Sequence, residues 1–451
     1  MVFLLLLLIG GSGPSPGWSC VAAAAPGASA TLAVGTPVPQ AGAATGFDVE
    51  AATRAYLDRL TPEKKARSDA YFEGGYWLQL WDFLYGAVTS LVLLGTRLSA
   101  RMRDLACRWS RFKPVQTGLY AVQYIVLTAL IGLPISVYSG YFREHQYGMA
   151  NQGLGGWFGD WGMGVVVSLV LGSLLMMALF GVVRKLAGSW HIVGAVVVMG
   201  FVALTALIGP VYIAPLFNHY TPLAKPEVVT PIMRIARANG IQADKVYEMD
   251  ASKQTKRISA NVSGMFGTMR ITLNDNLLNS CSLPEIEAVM AHEIGHYVLN
   301  HGYKSLLFYS IVVFAGFGLL RGSLGWFLAR FGARWGITGA GDPAVTPLVV
   351  LLFSIYMFVL TPFTNTFTRT AESEADYFGL NAARQPDGFA EAALKLADYR
   401  KMEPGPLEEW VFYDHPSGAT RIRAAMRWKA ENPGIGVTTT NSAVVGPTQS
   451  R

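Results

Sequence analysis

The sequence predicts a mainly α-helical, multi-pass membrane protein with soluble parts, and three observations carry that prediction. Of its 451 residues 51% are hydrophobic and only 15% are charged. The mean hydropathy is +0.32. Six apolar stretches approach or exceed the ~20 residues that a helix needs to cross a hydrocarbon core. They run from Trp77 to Leu98, Val115 to Tyr138, Trp161 to Val183, Trp190 to Phe217, Leu306 to Phe331 and Val345 to Phe367. Trp77, Trp81, Trp157, Trp161, Trp190 and Trp326 fall near the ends of these stretches, as interfacial anchors do. Asp82 and Arg321 lie near span ends, where a charge reaches the interface or a wet cavity.

In chain order, residues 1–30 read as a signal-like segment or N-terminal anchor: a leucine-rich core from Phe3 to Ile9, then a small-residue tract from Val21 to Ala30. Residues 31–76 form a polar, partly helical lead-in, and 77–217 hold four spans. Residues 218–303 form a soluble region ending in a candidate metal helix, and 304–368 supply two further spans. Residues 369–430 carry an acidic helix and a closing motif, and the polar tail 431–451 reads as disordered. Cys20, Cys107 and Cys281 are too few and too scattered for a disulfide framework or a thiolate metal site. The net charge of +6 is concentrated in a loop holding Arg97, Arg101, Arg103, Arg108, Arg111 and Lys113. No nucleic-acid motif accompanies it, so the charge reads as a topology signal.

The stretch that carries chemistry is Ala291-His292-Glu293-Ile294-Gly295-His296. On a helix, positions i and i+4 share a face, so His292 and His296 can reach one zinc ion while Glu293 addresses a water beside it. Ser282-Leu283-Pro284-Glu285 supplies an N-cap, an early proline and a capping-box glutamate, and Ile286, Val289, Met290 and Ile294 continue at helical spacing. A two-histidine site needs a third protein ligand. Directly after the last span, Glu372 and Asp376 stand at i and i+4, so one can bind the metal while the other steadies a metal-binding histidine; Glu374 points elsewhere.

Together, His292-Glu293-Ile294-Gly295-His296 and Glu372-Ser373-Glu374-Ala375-Asp376 resemble the membrane zinc metallopeptidases typified by the type I CAAX prenyl protease. Further matches are Gln146-Tyr147-Gly148, Tyr212 to Asn218 with Thr221-Pro222-Leu223, Asp250 to Asn261, and His415-Pro416-Ser417 with Arg421-Ile422. The resemblance spans about residues 77–428, departing at Asn261-Val262-Ser263-Gly264 and at the amino terminus. It implies a ring of six or seven tilted membrane helices enclosing a wet chamber, with a small α+β zincin-like domain at one end. It also implies one zinc per chain held by His292, His296 and Glu372, with Glu293 as general base and His415 donating to the tetrahedral oxyanion. Asp376 is implied as a catalytic proton donor, although its spacing from Glu372 suits a steadying role better. Arg421 is placed with the substrate-binding residues and is expected to pair with Asp376. Asn261 is expected to bind the substrate backbone, beside a strand from Met269 to Leu273 that could pair with an extended peptide. His301 is not expected to be a ligand.

The expected substrate is a peptide or protein, including a lipidated or unfolded tail, with membrane lipids around the chain and no nucleic acid. Two alternatives are an HtpX-like quality-control protease and a catalytically silent membrane protein that binds tails. The expected location is a bacterial inner membrane. Lys and Arg crowd the connections after spans one, three and five, which puts the metal helix on the exported side; the resemblance instead implies the cytoplasmic side.

Overall fold

The first helices of the chain begin on strong local signals. The computed structural model describes residues 46–263 and 269–434; the signal-like segment 1–30 and the tail beyond 434 lie outside the described residues. Helix α1 (Val49–Leu57) is capped by Asp48, whose side chain accepts from Glu50 N and Ala51 N. Helix α2 (Pro62–Gly95) starts on a Thr61 cap with proline in its first turn. The end of the lead-in and the first span are therefore one continuous helix. Arg97, in the left-handed conformation at φ 58°, turns the chain into the short helix α3 (Leu98–Trp109).

Helix α4 (Lys113–Gln146) contains Pro134 and then a π turn over Tyr138–Phe142. Helix α5 (Leu154–Lys185) follows, and α6 (Trp190–Leu216) carries a second π turn, Gly209–Ile213, around Pro210. Proline lacks the N–H of the helical ladder, so both departures occur where the ladder is already broken. The first lies before the loop that joins α4 to α5, and the second lies where α6 leads into the soluble region.

That region comprises β1 (Tyr220–Pro222), α7 (Pro226–Ala238), β2 (Val246–Met249), β3 (Ala260–Ser263), β4 (Arg270–Asn274), α8 (Asp275–Ser280) and α9 (Leu283–Val298). The chain then returns to the membrane through α10 (His301–Trp335) and α11 (Thr346–Ala383), and closes with α12 (Pro386–Lys395), α13 (Pro406–Phe412) and α14 (Gly418–Glu431). Among the described residues six helices are long and apolar enough to cross a membrane: α2, α4, α5, α6, α10 and α11. Each packs on the next, and α11 packs back on α2, so the six form a closed ring. Between 17% and 33% of each apolar window is buried, as expected for a wall one helix thick rather than a solid bundle.

The four-stranded sheet has the order β1-β2-β4-β3, with β2 and β4 parallel and the outer pairs antiparallel. Ile232, Val246, Ile271, Leu273, Ile286, Met290 and Ile294 pack between sheet and helices and fix α9 against them. This order corrects one expectation. The run Met269 to Leu273 cannot pair with a substrate, because β4 already has β2 on one side and β3 on the other. Among the described residues the outer strands are β1 and β3, and β3 carries Asn261.

A buried polar cluster stitches the ring to the soluble region. Tyr71 of α2 donates to Glu144 Oε1 at 2.6 Å, and Arg257 Nη2 donates to Glu144 Oε2 at 2.8 Å. The Arg143 guanidinium lies over the Tyr71 ring at 4.2 Å. Below this cluster, Lys256 N donates to Met149 O at 3.0 Å and Asn151 N to Gln254 O at 3.1 Å, so the Gln146-Tyr147-Gly148 loop docks by backbone hydrogen bonds.

Candidate active site

Helix α9 begins on the expected capping box: Ser282 N donates to Glu285 Oε2 at 2.5 Å, with Pro284 in the first turn. Two glycines then let α9 and α11 approach closely. A Cβ on Gly379 would fall 3.0 Å from His292 N and 3.1 Å from its Cα, and one on Gly295 would fall 2.9 Å from the Phe378 ring. Because the atoms facing Gly379 are backbone, no side chain can move aside for a larger residue. This approach brings the acidic turn of α11 onto the histidine face of α9.

There, His292 Nε2 and His296 Nε2 are 3.1 Å apart, Glu372 Oε2 is 3.2 Å from the first and Glu372 Oε1 is 3.4 Å from the second. Ligand atoms held about 2.1 Å from a tetrahedral centre stand about 3.4 Å from one another. The three side chains thus already mark out one face of a tetrahedral metal site, and all three are buried. Two imidazoles and a carboxylate suit zinc among the divalent ions.

Behind His292 stands a carboxylate. Asp376 Oδ1 lies 2.8 Å from His292 Nδ1, although the ring falls short of a linear hydrogen bond to it. Arg421 grips the same carboxylate with a fork, Nε to Oδ2 at 2.9 Å and Nη2 to Oδ1 at 2.5 Å. Asp376 and Arg421 therefore hold the site from behind. That geometry revises the placing of Arg421 with substrate-binding residues and of Asp376 as a proton donor, since each is already engaged by the other.

On the far side, His296 Nδ1 meets His301 Nδ1 at 2.9 Å, and His301 Nε2 meets Glu374 Oε2 at 3.0 Å. Lys304 Nζ donates to the same Glu374 oxygen at 2.8 Å. With His296 presenting its Nε2 lone pair to a metal, its Nδ1–H donates to His301, whose Nε2–H donates to Glu374. The sequence reading gave His301 and Glu374 no such role. Leu299 ends α9 and Asn300 turns left-handed at φ 58°, so His301 starts a new helix that folds back under His296. Replacing His301 with alanine is expected to weaken zinc binding by about 10–100-fold with the fold intact, measured by competition against a chelating indicator.

His415 faces the cluster from a loop, its Nε2 3.4 Å from Glu372 Oε2 and its Nδ1 2.7 Å from Asp414 Oδ1. Glu293 follows His292 on α9 and is partly exposed. Asn261 sits on an outer strand of the sheet, opposite Thr272 of β4, and β3 packs against α9. Its side-chain oxygen is buried and has no hydrogen-bond partner among the described residues, which suits a role in receiving a peptide N–H. The structure thus gathers His292, His296, Glu372, Asp376, Arg421 and His415 into one cluster, with Glu293 next to His292 on α9.

Burial by itself would lower the proton affinity of His292, but Asp376 and Glu372 prevail and push its pKa up to about 10. A raised imidazole pKa stabilises the fold fully below its ordinary 6.5 and loses that contribution as pH climbs through about 10. In chelator-stripped protein, metal and proton therefore compete for His292. Each zinc ion taken up between pH 7 and 9 is expected to release about one proton, seen as a buffer-dependent binding enthalpy.

Comparison with known proteins shows the family. The profile of Peptidase family M48 matches residues 222–429, and that of the CAAX prenyl protease N-terminal region, five membrane helices, matches residues 50–219. The CAAX prenyl protease 1 homolog of Arabidopsis thaliana is 31% identical over 299 residues, 65% of this chain and 69% of that one. CAAX prenyl protease 1 of Saccharomyces cerevisiae is 29% identical over 321 residues, 66% and 69%. The uncharacterized metalloprotease YhfN of Bacillus subtilis (strain 168) is 29% identical over 336 residues, 74% and 79%. The crystal structure of S. mikatae Ste24p superposes with a TM-score of 0.71 at 23% identity, covering 84% of this chain and 95% of that one, and so shares the fold.

Proposed function

The chain belongs to peptidase family M48 and is an integral-membrane metalloprotease of the CAAX prenyl protease type, and on that premise we propose that it is a zinc endopeptidase acting on extended peptide tails admitted to the helical ring. The observation that carries this reading is the spacing of His292, His296 and Glu372, 3.1–3.4 Å apart between two helices that glycines draw together.

Zinc, when bound by these three side chains, supplies Lewis acidity at a fourth, open position. Glu293 takes a proton from the attacking water as the new C–O bond forms, and returns it to the leaving amine as the C–N bond breaks. Asp414 Oδ1 holds the His415 ring at Nδ1 and leaves Nε2 turned toward the site, as the donor to the carbonyl oxygen when it gains charge. Asp376, held by Arg421, and His301, held by Glu374, keep the two imidazoles aimed. The β3 edge aligns the substrate backbone, with Asn261 adding a side-chain contact.

A ring one helix thick admits an unfolded tail more readily than a folded domain, which supports tails, lipidated or not, as the substrate class. The membrane half favours a CAAX-protease-like enzyme over an HtpX-like one, which has fewer spans. The basic connections lie at the end of the ring opposite His292, because α10 begins at the site and ends at Trp335. By the positive-inside bias this supports a catalytic end on the exported side. Trapping with Glu293→Gln tests the substrate reading: tail fragments should co-purify, and recovery of intact folded proteins alone would contradict it.

A further inference from the structure

A cleft of about 370 Å³ lies at the end of the ring away from the metal site, where α4 begins, α5 ends and α11 starts. Its walls include Arg103, Lys113, Arg184, Gln116, Cys107 and Asp342. The one carboxylate among them is fully engaged. Asp342 accepts from Thr338 N at 2.9 Å, Thr338 Oγ1 at 3.0 Å and Ala344 N at 3.0 Å, and also pairs with Arg103.

Arg184 has only neutral acceptors: Gly341 O at 2.9 Å, Thr117 Oγ1 at 2.9 Å and Lys113 O at 3.4 Å. Among the described residues, neither Arg184 nor Lys113 forms an ion pair with a carboxylate. Two cations on one cleft thus lack a carboxylate at ion-pair distance: Lys113 is exposed, while Arg184 is partly buried, braced by three hydrogen bonds and balanced only at a distance by the already engaged Asp342. A partly buried cation without a counter-charge in contact is costly, so this arrangement suits an anion.

Position and rim narrow the class of anion. The cleft lies at span ends, the height of lipid headgroups, and Trp109, Phe112 and Val115 beside it are 68%, 74% and 48% exposed. Aromatic and aliphatic side chains at that height face acyl chains and headgroup carbonyls. Free phosphate would make no use of them.

We propose that this cleft is a binding site for the phosphate of an anionic phospholipid, held by Lys113 and Arg184 with its acyl chains along the start of α4. Basic clefts between membrane helices bind such headgroups, at about the strength of one favourable charge contact per Lys or Arg. The site is independent of the proteolytic chemistry.

The test uses the full chain in mixed micelles, titrated with dioleoylphosphatidylglycerol or dioleoylphosphatidylcholine, and lipid retention read by native mass spectrometry. Wild type is expected to retain phosphatidylglycerol selectively. Lys113→Gln with Arg184→Gln should weaken that retention about thirtyfold, and Lys113→Gln alone, which spares the brace to Gly341, about fivefold. Arg101→Gln with Arg108→Gln removes the same charge from exposed positions outside the cleft and should change retention less than about threefold. Equal retention of the two lipids, an unchanged Lys113→Gln variant, an equal loss in the Arg101/Arg108 pair, or displacement of the lipid by millimolar inorganic phosphate would each overturn the proposal.

Discussion

Glu293→Gln should leave the purified protein with its full metal content and lower its turnover of a quenched peptide by about 10²–10⁴-fold. The amide has the size and helix compatibility of the carboxylate, and Glu293 is not among the three side chains that converge on the metal position. What the substitution removes is a proton acceptor one residue from His292. A variant that loses metal and activity together would make Glu293 a structural residue of the cluster. Unchanged turnover would place the base elsewhere.

Arg421→Met should be the most destabilising single change at the site. Arg421 and Asp376 retain 12% and 4% side-chain exposure, and the fork satisfies both carboxylate oxygens. Methionine keeps most of the volume but leaves Asp376 charged, buried and one helical turn from Glu372. Breaking a buried pair on one side costs about 3–5 kcal/mol, because the remaining charge is uncompensated. The thermal midpoint should fall accordingly, and adding Asp376→Asn should recover much of the loss. If the double variant is no more stable than Arg421→Met, packing against the Phe389 ring, 5.1 Å from the guanidinium, accounts for the effect instead.

Much of this architecture was legible in the residues because its signals are local. Six long apolar runs predict six spans, and the described residues hold six, several of them extended beyond the apolar run by polar turns such as Pro62 to Tyr76 and Arg369 to Ala383. Ser282 and Glu285 announce the start of α9, and the i, i+4 spacing of His292 with His296 and of Glu372 with Asp376 holds because both pairs lie on real helices.

What was hidden depends on events between elements. Sequence spacing from His296 excludes His301 from a continuous helix face, but the left-handed Asn300 breaks the helix and returns His301 beneath it. That β3 rather than β4 is an outer strand rests on a parallel β2–β4 pairing between segments over 20 residues apart, which no local pattern encodes. The roles of Gly295 and Gly379 emerge only when α9 and α11 are brought together, since a glycine inside a helix otherwise reads as a mild weakness.

The most direct measurement is elemental analysis of the purified protein, wild type beside Glu293→Gln and Glu372→Ala. One zinc per chain is expected in the first two, and in the third an ion that washes out during purification. An active wild type with no transition metal, or a Glu372→Ala protein that keeps one tightly held zinc, would contradict the assignment of His292, His296 and Glu372 as the catalytic metal site.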